Sequence, residues 1–397
     1  MTTAPSHNPH RRRRRLVAAV VYLGLALLGV TMALPLLWML ATSLKAPGSP
    51  MTYPPELLPR EQITWTDPNT GQTWPVFETP VGGETLQVAV TGYQPGEAVG
   101  VVLSPPERAG QAVRVPLQRE ERGRSVANLQ PVKRLAAHPE NYGEAWTAMT
   151  LQRNWLAFEL PGAVRIKLGG QVWQIGPWRW AGVPLRNAFL AFYLNSLLVS
   201  VAVTLGTLIT SALAAFAFAR LSFRGRDALF LGYLGTLMVP YVVTMIPIFA
   251  LLKLLNLIDT YFALIVPVMF SAYGTFLLRQ FFLAIPGDLE DAARLDGCGN
   301  WGVLRHVILP LSRPALATLG TFTFLGTWNS FMWPLIVMNS TEKMPLMVGL
   351  YAFMGQYATQ WQLLMAAATM TMAPVVLVFL LGQRYFIEGI VLSGMKG

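Results

Sequence analysis

The stretch LEDAARLDGCGNWGVLRHVILP, Leu289 to Pro310, decides how this chain is read, because it is charged and helix-capable yet lies between two long apolar spans. Asp288 can cap a helix whose first turn carries Glu290 and Asp291, favourable beside the positive end of the helix dipole. Gly297 can end that helix in a left-handed turn. Leu289, Ala292, Ala293 and Asp296 have the i, i+3, i+4, i+7 spacing of one helical face, and the two alanines permit close approach by another surface. Asn300 can cap a second short helix that stops before Pro310. The segment reads as a compact helix, turn and helix; the plainer alternative is a membrane-surface loop that only solvates its charges.

The surrounding chain is 397 residues long, 53% hydrophobic and only 13% charged, with a mean hydropathy of +0.43. Soluble domains carry about 25% charged residues, so this is an integral membrane protein. The net charge of +10 sits largely in Arg11 to Arg15 and in short segments flanking apolar spans. Such placement marks membrane topology rather than a nucleic-acid partner. The single cysteine, Cys298, excludes an intramolecular disulfide, and no Cys and His cluster has zinc-ligand spacing.

Residues 16–44 carry no charge. That span exceeds the apolar core of about 7 to 15 residues in a secretory signal, and Thr42-Ser43-Leu44 offers no small-residue cleavage site, so an uncleaved first transmembrane helix is expected. Five further spans follow at about 188–219, 228–252, 260–282, 315–338 and 363–381, the last kinked at Pro374. Basic residues in short loops stay on the cytoplasmic side. Arg11 to Arg15, then Arg220, Arg224 and Arg226, then Arg294, Arg305 and Arg313, and finally Arg384 and Lys396 all fall inside in a six-span scheme.

The expected fold is therefore all-α integral membrane, with six transmembrane helices and a β-rich extracytoplasmic domain between helices 1 and 2. The division runs as a basic cytoplasmic N-terminus (1–15), helix 1 (16–44), the insertion (45–187), helices 2 to 6 (188–387) with the cytoplasmic loop 284–314, and a cytoplasmic tail (388–397). Within the insertion TLQVAV (85–90), AVGVVL (98–103), AVRVPL (112–117), WLAFEL (155–160) and VWQIGPW (172–178) alternate or are rich in β-branched and aromatic residues, with Pro-Gly and Gly-Gly breaks. Its Trp and Arg residues fit an ordinary solvated domain, or a sugar-stacking surface.

The spans hold almost no ionisable residue at membrane depth, which argues against ion-driven secondary transport. No Gly-Lys pair of a phosphate-binding loop, no G-x-S-x-G and no H-E-x-x-H occurs, and His306 reads as an interfacial residue. Asn195, Ser196, Trp328, Asn329 and Ser330 place polar or aromatic groups within spans, where uncompensated polarity is costly. They either face a solute pathway or join helices through hydrogen bonds.

Asp291-Ala292-Ala293, Gly297, then Val307, Leu309 and Pro310 resemble the EAA loop of ABC importer permeases at matching spacing, with Asp for Glu and Val for Ile. FYLNSLLVS (192–200), AAFAFARLSFRGR (214–226), TWNSFMWPLIV (327–337) and YFIEGIVLSGMKG (385–397) resemble carbohydrate importers, in particular the smaller maltose/trehalose-type permease. YPPELLP (53–59) and ENYGEAW (140–146) resemble pieces of the usual first external loop, here separated by a long insertion. The resemblance implies a six-helix core, a second permease subunit, an ATP-binding cassette ATPase dimer and an extracytoplasmic solute-binding protein. It also implies that sugar passes by alternating access, and that ATP and Mg belong to the partner ATPase subunits, with no cofactor in this chain. The loop would be the coupling helix that docks on the ATPase, and Ser393, Gly394, Met395, Lys396 and Gly397 would reach the ATPase interface. Other solutes, such as a polyamine or glycerol phosphate, and a membrane-anchored receptor or scaffold are the alternatives.

Overall fold

In the computed structural model the described residues are 9–394, apart from 49–55, 57, 82, 120–124, 128, 157, 161–163, 169–170, 176–177 and 181. The chain divides into two compact units, Met1–Tyr142 with Thr359–Ala366 and Gly143–Ala358 with Ala367–Gly397.

In the first unit, α1 (Pro9–Ser43) runs from the arginine cluster through the whole first apolar span. Val20, Tyr22, Leu23, Leu27 and Met32 are exposed around its circumference, which only a lipid or protein environment tolerates. Its last turn is held by Asn141, whose Nδ2 donates to the carbonyls of Ser43 and Lys45 at 2.8 and 2.9 Å.

The strands that follow in chain order begin with β1 (Arg60–Gln62). An antiparallel sheet orders β2 (Thr64–Thr66), β3 (Thr73–Val81), β4 (Glu84–Gln94), β5 (Glu97–Ser104), β6 (Ala112–Arg119) and β7 (Ser125–Ala127), with β8 (Gln130–Pro131) added on β3. β9 (Lys133–Leu135) pairs with β1. Period-two alternation puts Leu86, Val88 and Val90 of β4 against Ala98, Val102 and Val115 in two buried clusters. TLQVAV, AVGVVL and AVRVPL thus lie on β4, β5 and β6.

The second unit opens with α2 (Glu140–Thr147), whose first residues belong to the first, so ENYGEAW lies on a helix. Two small antiparallel ladders follow: β10 (Phe158–Leu160) with β13 (Trp178–Trp180), and β11 (Val164–Leu168) with β12 (Gln171–Ile175). Of WLAFEL, Phe158–Leu160 form β10 and Trp155 makes an isolated bridge with Val183, while residues of VWQIGPW fall on β12 and β13.

The helices of this unit are α3 (Ala188–Arg220), α4 (Arg226–Gly235), α5 (Tyr241–Leu254), α6 (Tyr261–Ile265), α7 (Ala272–Leu283), α8 (Asp288–Leu295) and α9 (Asn300–Val303). After a π turn (Leu304–Ile308) come α10 (Leu309–Leu311), α11 (Arg313–Trp328), α12 (Met332–Val337), α13 (Leu346–Gln356) and α14 (Trp361–Gly394), whose residues up to Ala366 belong to the first unit.

Six continuous spans are not found among the described residues. Among the described residues three helical segments are long and apolar enough to cross a membrane, Val17–Ser43, Ala188–Arg220 and Trp361–Gln383, or up to five if each of two bent pairs is one span. The expected span 228–252 is a pair of helices meeting at 98° ahead of Tyr241. The span 260–282 is interrupted between α6 and α7, and the span 315–338 between α11 and α12. Pro240 and Pro267 each lack an amide donor at their breaks. The Ser271 hydroxyl then accepts from the Gly274 amide at 2.9 Å and restarts the helix. The last span lies within α14, which continues through Pro374.

α3 is the hub. Its lower half packs Ala212, Ala215, Phe216 and Ala219 against Leu278 and Phe282 of α7 and Ala315 and Leu319 of α11. Its upper half packs Val199 and Val203 against Met245, Leu264 and Trp333. Near its start a Cβ added at Gly349 would lie 2.2 Å from Phe192 Cδ2, so only glycine lets α13 approach this closely.

Candidate functional site

The segment 289–310 begins with Gly287, not Asp288, at the cap position, and no side chain caps α8 there. Asp288, Glu290 and Asp291 instead fill the first turn, where their charge suits the helix dipole. The end is as the sequence indicates. Gly297 has φ +86°, its amide donates to Arg294 O at 3.0 Å, and the Cys298 amide donates to Ala293 O at 2.9 Å, a Schellman closure. The second helix does not stop before Pro310. It continues through the π turn to Leu311, and the wider turn relieves the clash a proline ring makes with the carbonyl four residues back. Asn300 is inside the helix, and its Oδ1 accepts from Arg294 Nη2 at 2.9 Å.

The expected single face is divided. Leu289, Asp291, Ala292 and Asp296 are exposed, whereas Ala293 turns inward onto the cluster around Phe216. Leu295, 90% exposed, and Trp301, 65% exposed, extend the outer surface. Val307, Leu309 and Pro310 are half-buried, with Leu309 against the same cluster. Glu290, which the sequence marks only as a first-turn acid, is buried, with its Oε1 2.7 Å from Arg220 Nε at the end of α3. Arg220 Nη2 donates to the carbonyls of Phe282 and Ile285, each at 2.6 Å. The exposed helix α8 is thus tied to α3 through an ion pair and a packed apolar cluster. Ser393 and Gly394 end α14; Met395, Lys396 and Gly397 lie outside the described residues.

A cavity of about 320 Å³ opens beside the upper half of α3. α3 contributes Ser196, Val199 and Ser200, and α5 contributes Tyr241 at its first residue. The break between α6 and α7 supplies Pro267, Val268 and Phe270, the break between α11 and α12 supplies Ser330, and Thr327 and Trp333 come from the helix ends on either side of it. Ser196 Oγ accepts from the Leu346 amide at 2.7 Å. Ser200 Oγ is buried without a hydrogen-bond partner.

Of the polar span residues marked from sequence, Ser196 and Ser330 line this cavity. Asn195 is fully buried and its amide is saturated. Its Nδ2 donates to the carbonyls of Glu342 and Met344 at 2.9 and 3.0 Å, and its Oδ1 accepts from Trp155 Nε1 and the Tyr261 hydroxyl, both at 2.7 Å. Trp328 is buried against Tyr193 and Phe324, with Nε1 donating to Thr371 O at 3.3 Å. Asn329 is exposed, and its Nδ2 donates to Leu325 O. Sequence reading missed Ser200, Tyr241 and Thr327. The one-turn spacing of Ser196 and Ser200 is the signal that could have found the first.

Asp259, in the loop before α6, braces the segment that holds Glu342. Its carboxylate accepts from the amides of Asn339 and Ser340 at 3.0 Å and from the Ser340 hydroxyl, and Lys343 Nζ lies 3.1 Å away. Burial alone would raise its pKa, but the Ser340 and Asn339 donors and the Lys343 charge outweigh that and hold the carboxyl below its ordinary value.

Residues 202–391 match the family described as binding-protein-dependent transport system inner membrane component. The chain is 36% identical over 220 residues to the arabinooligosaccharides transport system permease protein AraQ of Halalkalibacterium halodurans, covering 55% of this chain and 75% of that one. This chain belongs to the inner-membrane components of binding-protein-dependent transport systems. Such a permease component is a transport subunit, not an enzyme. The sn-glycerol-3-phosphate transport system permease protein UgpE of Agrobacterium fabrum is 39% identical over 215 residues, 54% of this chain and 75% of that one. Among solved structures, a chain of a bacterial ABC transporter involved in the import of the acidic polysaccharide alginate matches with a TM-score of 0.56 at 19% identity, covering 96% of this permease component and 100% of that chain. At that identity the likeness is one of fold.

Proposed function

We propose that this chain is a permease subunit of an ATP-driven ABC importer that carries a sugar across the inner membrane by alternating access. The observation that carries the reading is the Arg220–Glu290 contact, which ties an exposed surface helix to α3, a 33-residue apolar helix of the second unit. In this reading α8 is the coupling helix, cytoplasmic as the arginine-rich loops require, and Asp291, Ala292, Leu295 and Trp301 meet the ATPase. ATP and Mg bind to a partner ATPase dimer, a second permease completes the pathway, and an extracytoplasmic binding protein delivers the solute. Both termini are cytoplasmic, the tail 393–397 reaches toward the ATPase, and the β-rich region is extracytoplasmic, where it docks the binding protein or the second permease. The relatives' names point to an oligosaccharide or a polyol phosphate as solute; a maltose/trehalose-type oligosaccharide belongs with the first.

The test is reconstitution in liposomes with the partner permease, ATPase and binding protein. Sugar-loaded binding protein is expected to stimulate ATP hydrolysis and uptake together, whereas a membrane-anchored scaffold would show neither. Gly297→Leu, which forces a side chain into the left-handed turn, is expected to lower uptake per ATP hydrolysed while membrane insertion persists. Unchanged coupling in that variant would count against the role given to α8.

A further inference from the structure

We propose that the cavity beside Ser200 is a contact site for one uncharged sugar ring, through which this subunit itself tells a neutral carbohydrate from a phosphorylated polyol. The inference rests on the importer reading above.

Its first support is architectural. The first turn of α5, the break between α6 and α7 and the break between α11 and α12 all face this one cavity. Non-helical backbone at membrane depth is tolerated where it is buried in protein or lines a polar cavity. Ser200 is about 18 Å along α3 from Ala188, at 1.5 Å per residue, close to the middle of a bilayer core about 30 Å thick.

The second support is Ser200 itself. A buried hydroxyl without a partner is costly unless something that enters the site completes it. Other unpartnered hydroxyls on α3 differ in what they face. Ser211 Oγ would be 2.6 Å from a Cβ at Gly274 and so sits in a helix contact, and neither it nor Thr204 or Thr207 lines the cavity. Ser200 alone of these lines the cavity, whose lining also includes the hydroxyl-bearing Thr327 and Ser330.

The third is charge. Among the described residues that line the cavity there is no Asp, Glu, Lys, Arg or His. Hydroxyls with the aromatic surfaces of Tyr241, Phe270 and Trp333 suit the alternating hydroxyl and C–H faces of a sugar. A phosphate would enter without a countercharge, at high desolvation cost. The volume of about 320 Å³ lies at the small end of ligand pockets, which run from about 300 to 1,000 Å³, and admits one ring.

The test uses the reconstituted complex in a Cys298→Ser background, with Ser200→Cys as the only thiol in this chain. Alkylation of that thiol is measured during uptake with an arabino-oligosaccharide, with maltose and with sn-glycerol 3-phosphate. At about ten times the half-saturating concentration, a transported neutral sugar is expected to slow labelling about tenfold by mass action, and glycerol phosphate is expected to leave it unchanged. Ser200→Ala is expected to raise the half-saturating sugar concentration about tenfold, the effect of one lost hydrogen bond to solute. If Ser200→Cys does not assemble, Ser330→Cys reads the same protection from another lining position. Labelling unchanged while neutral sugar is taken up, or labelling slowed by glycerol phosphate, overturns the inference. In either case, stimulation of wild-type ATP hydrolysis by loaded binding protein would leave the importer reading standing; its absence would remove both.

Discussion

Arg220 Nε lies 2.7 Å from Glu290 Oε1, and the two side chains are only 14% and 9% exposed. The pair closes the angle between the end of α3 and the surface helix α8, and the arginine reaches two further carbonyls. Removing one partner of such a pair leaves a buried charge uncompensated, at about 3–5 kcal/mol. Arg220→Met is expected to lower the thermal unfolding midpoint of the purified chain markedly. The double variant Arg220→Met with Glu290→Leu should regain much of that stability yet still lower uptake per ATP hydrolysed, because an apolar pair packs but does not fix the angle of α8. A double variant with full coupling would show that packing alone carries the load.

Gly349 and Phe192 give a steric prediction. Because a Cβ at 349 would stand 2.2 Å from the Phe192 ring, Gly349→Ala is expected to cost about 1–3 kcal/mol through forced repacking. Gly355, on the same helix, has nothing within 4 Å of an added Cβ, so Gly355→Ala should hold or raise stability by up to about 1 kcal/mol. Thermal unfolding of the two variants side by side separates the clash from general helix propensity.

Asp259 gives a pH dependence. Its folded pKa is held below the ordinary value, so its contribution is complete above the unfolded pKa of about 3.9 and is lost as pH falls through the depressed folded value. Asp259→Asn is therefore expected to destabilise the chain at pH 7 by about 2 kcal/mol, the order of one charge-assisted hydrogen bond. The gap to the wild-type unfolding midpoint should narrow toward pH 3. A gap that stayed constant with pH would assign the loss to geometry rather than charge.

Hydropathy made the membrane class and the long helices α1, α3 and α14 legible, because a charge-free run of twenty or more residues has few other fates. Period-two alternation likewise marked β4, β5 and β6. The breaks at Pro240, Pro267 and Asn329 were not legible by the same measure, since a window average barely responds to one proline or serine inside an apolar run. Those breaks shape the cavity, so its lining was only half visible, through Ser196 and Ser330. In the surface loop, spacing located the turn at Gly297 but could not tell Glu290 from Asp291. Adjacent residues on a helix point about 100° apart, and only the position of Arg220 decides which carboxylate is buried.

The saturated amide of Asn195 separates architecture from pathway. Four hydrogen bonds join it to Trp155, Tyr261 and the carbonyls of Glu342 and Met344, so it bonds α3 to three other segments and has no group left for a solute. Asn195→Leu strands two donors and two acceptors in a buried place, and leaving even two unsatisfied costs about 2–6 kcal/mol. The expected result is a large fall in unfolding midpoint and in the amount of folded protein recovered from membranes. Asn195→Asp keeps both acceptor bonds but buries a charge and sets an oxygen against the two carbonyls, and should be at least as destabilising as Leu. Whatever fraction of either variant folds is expected to keep the wild-type half-saturating solute concentration, in contrast to Ser200→Ala. A shift in that concentration with stability intact would return Asn195 to the solute pathway.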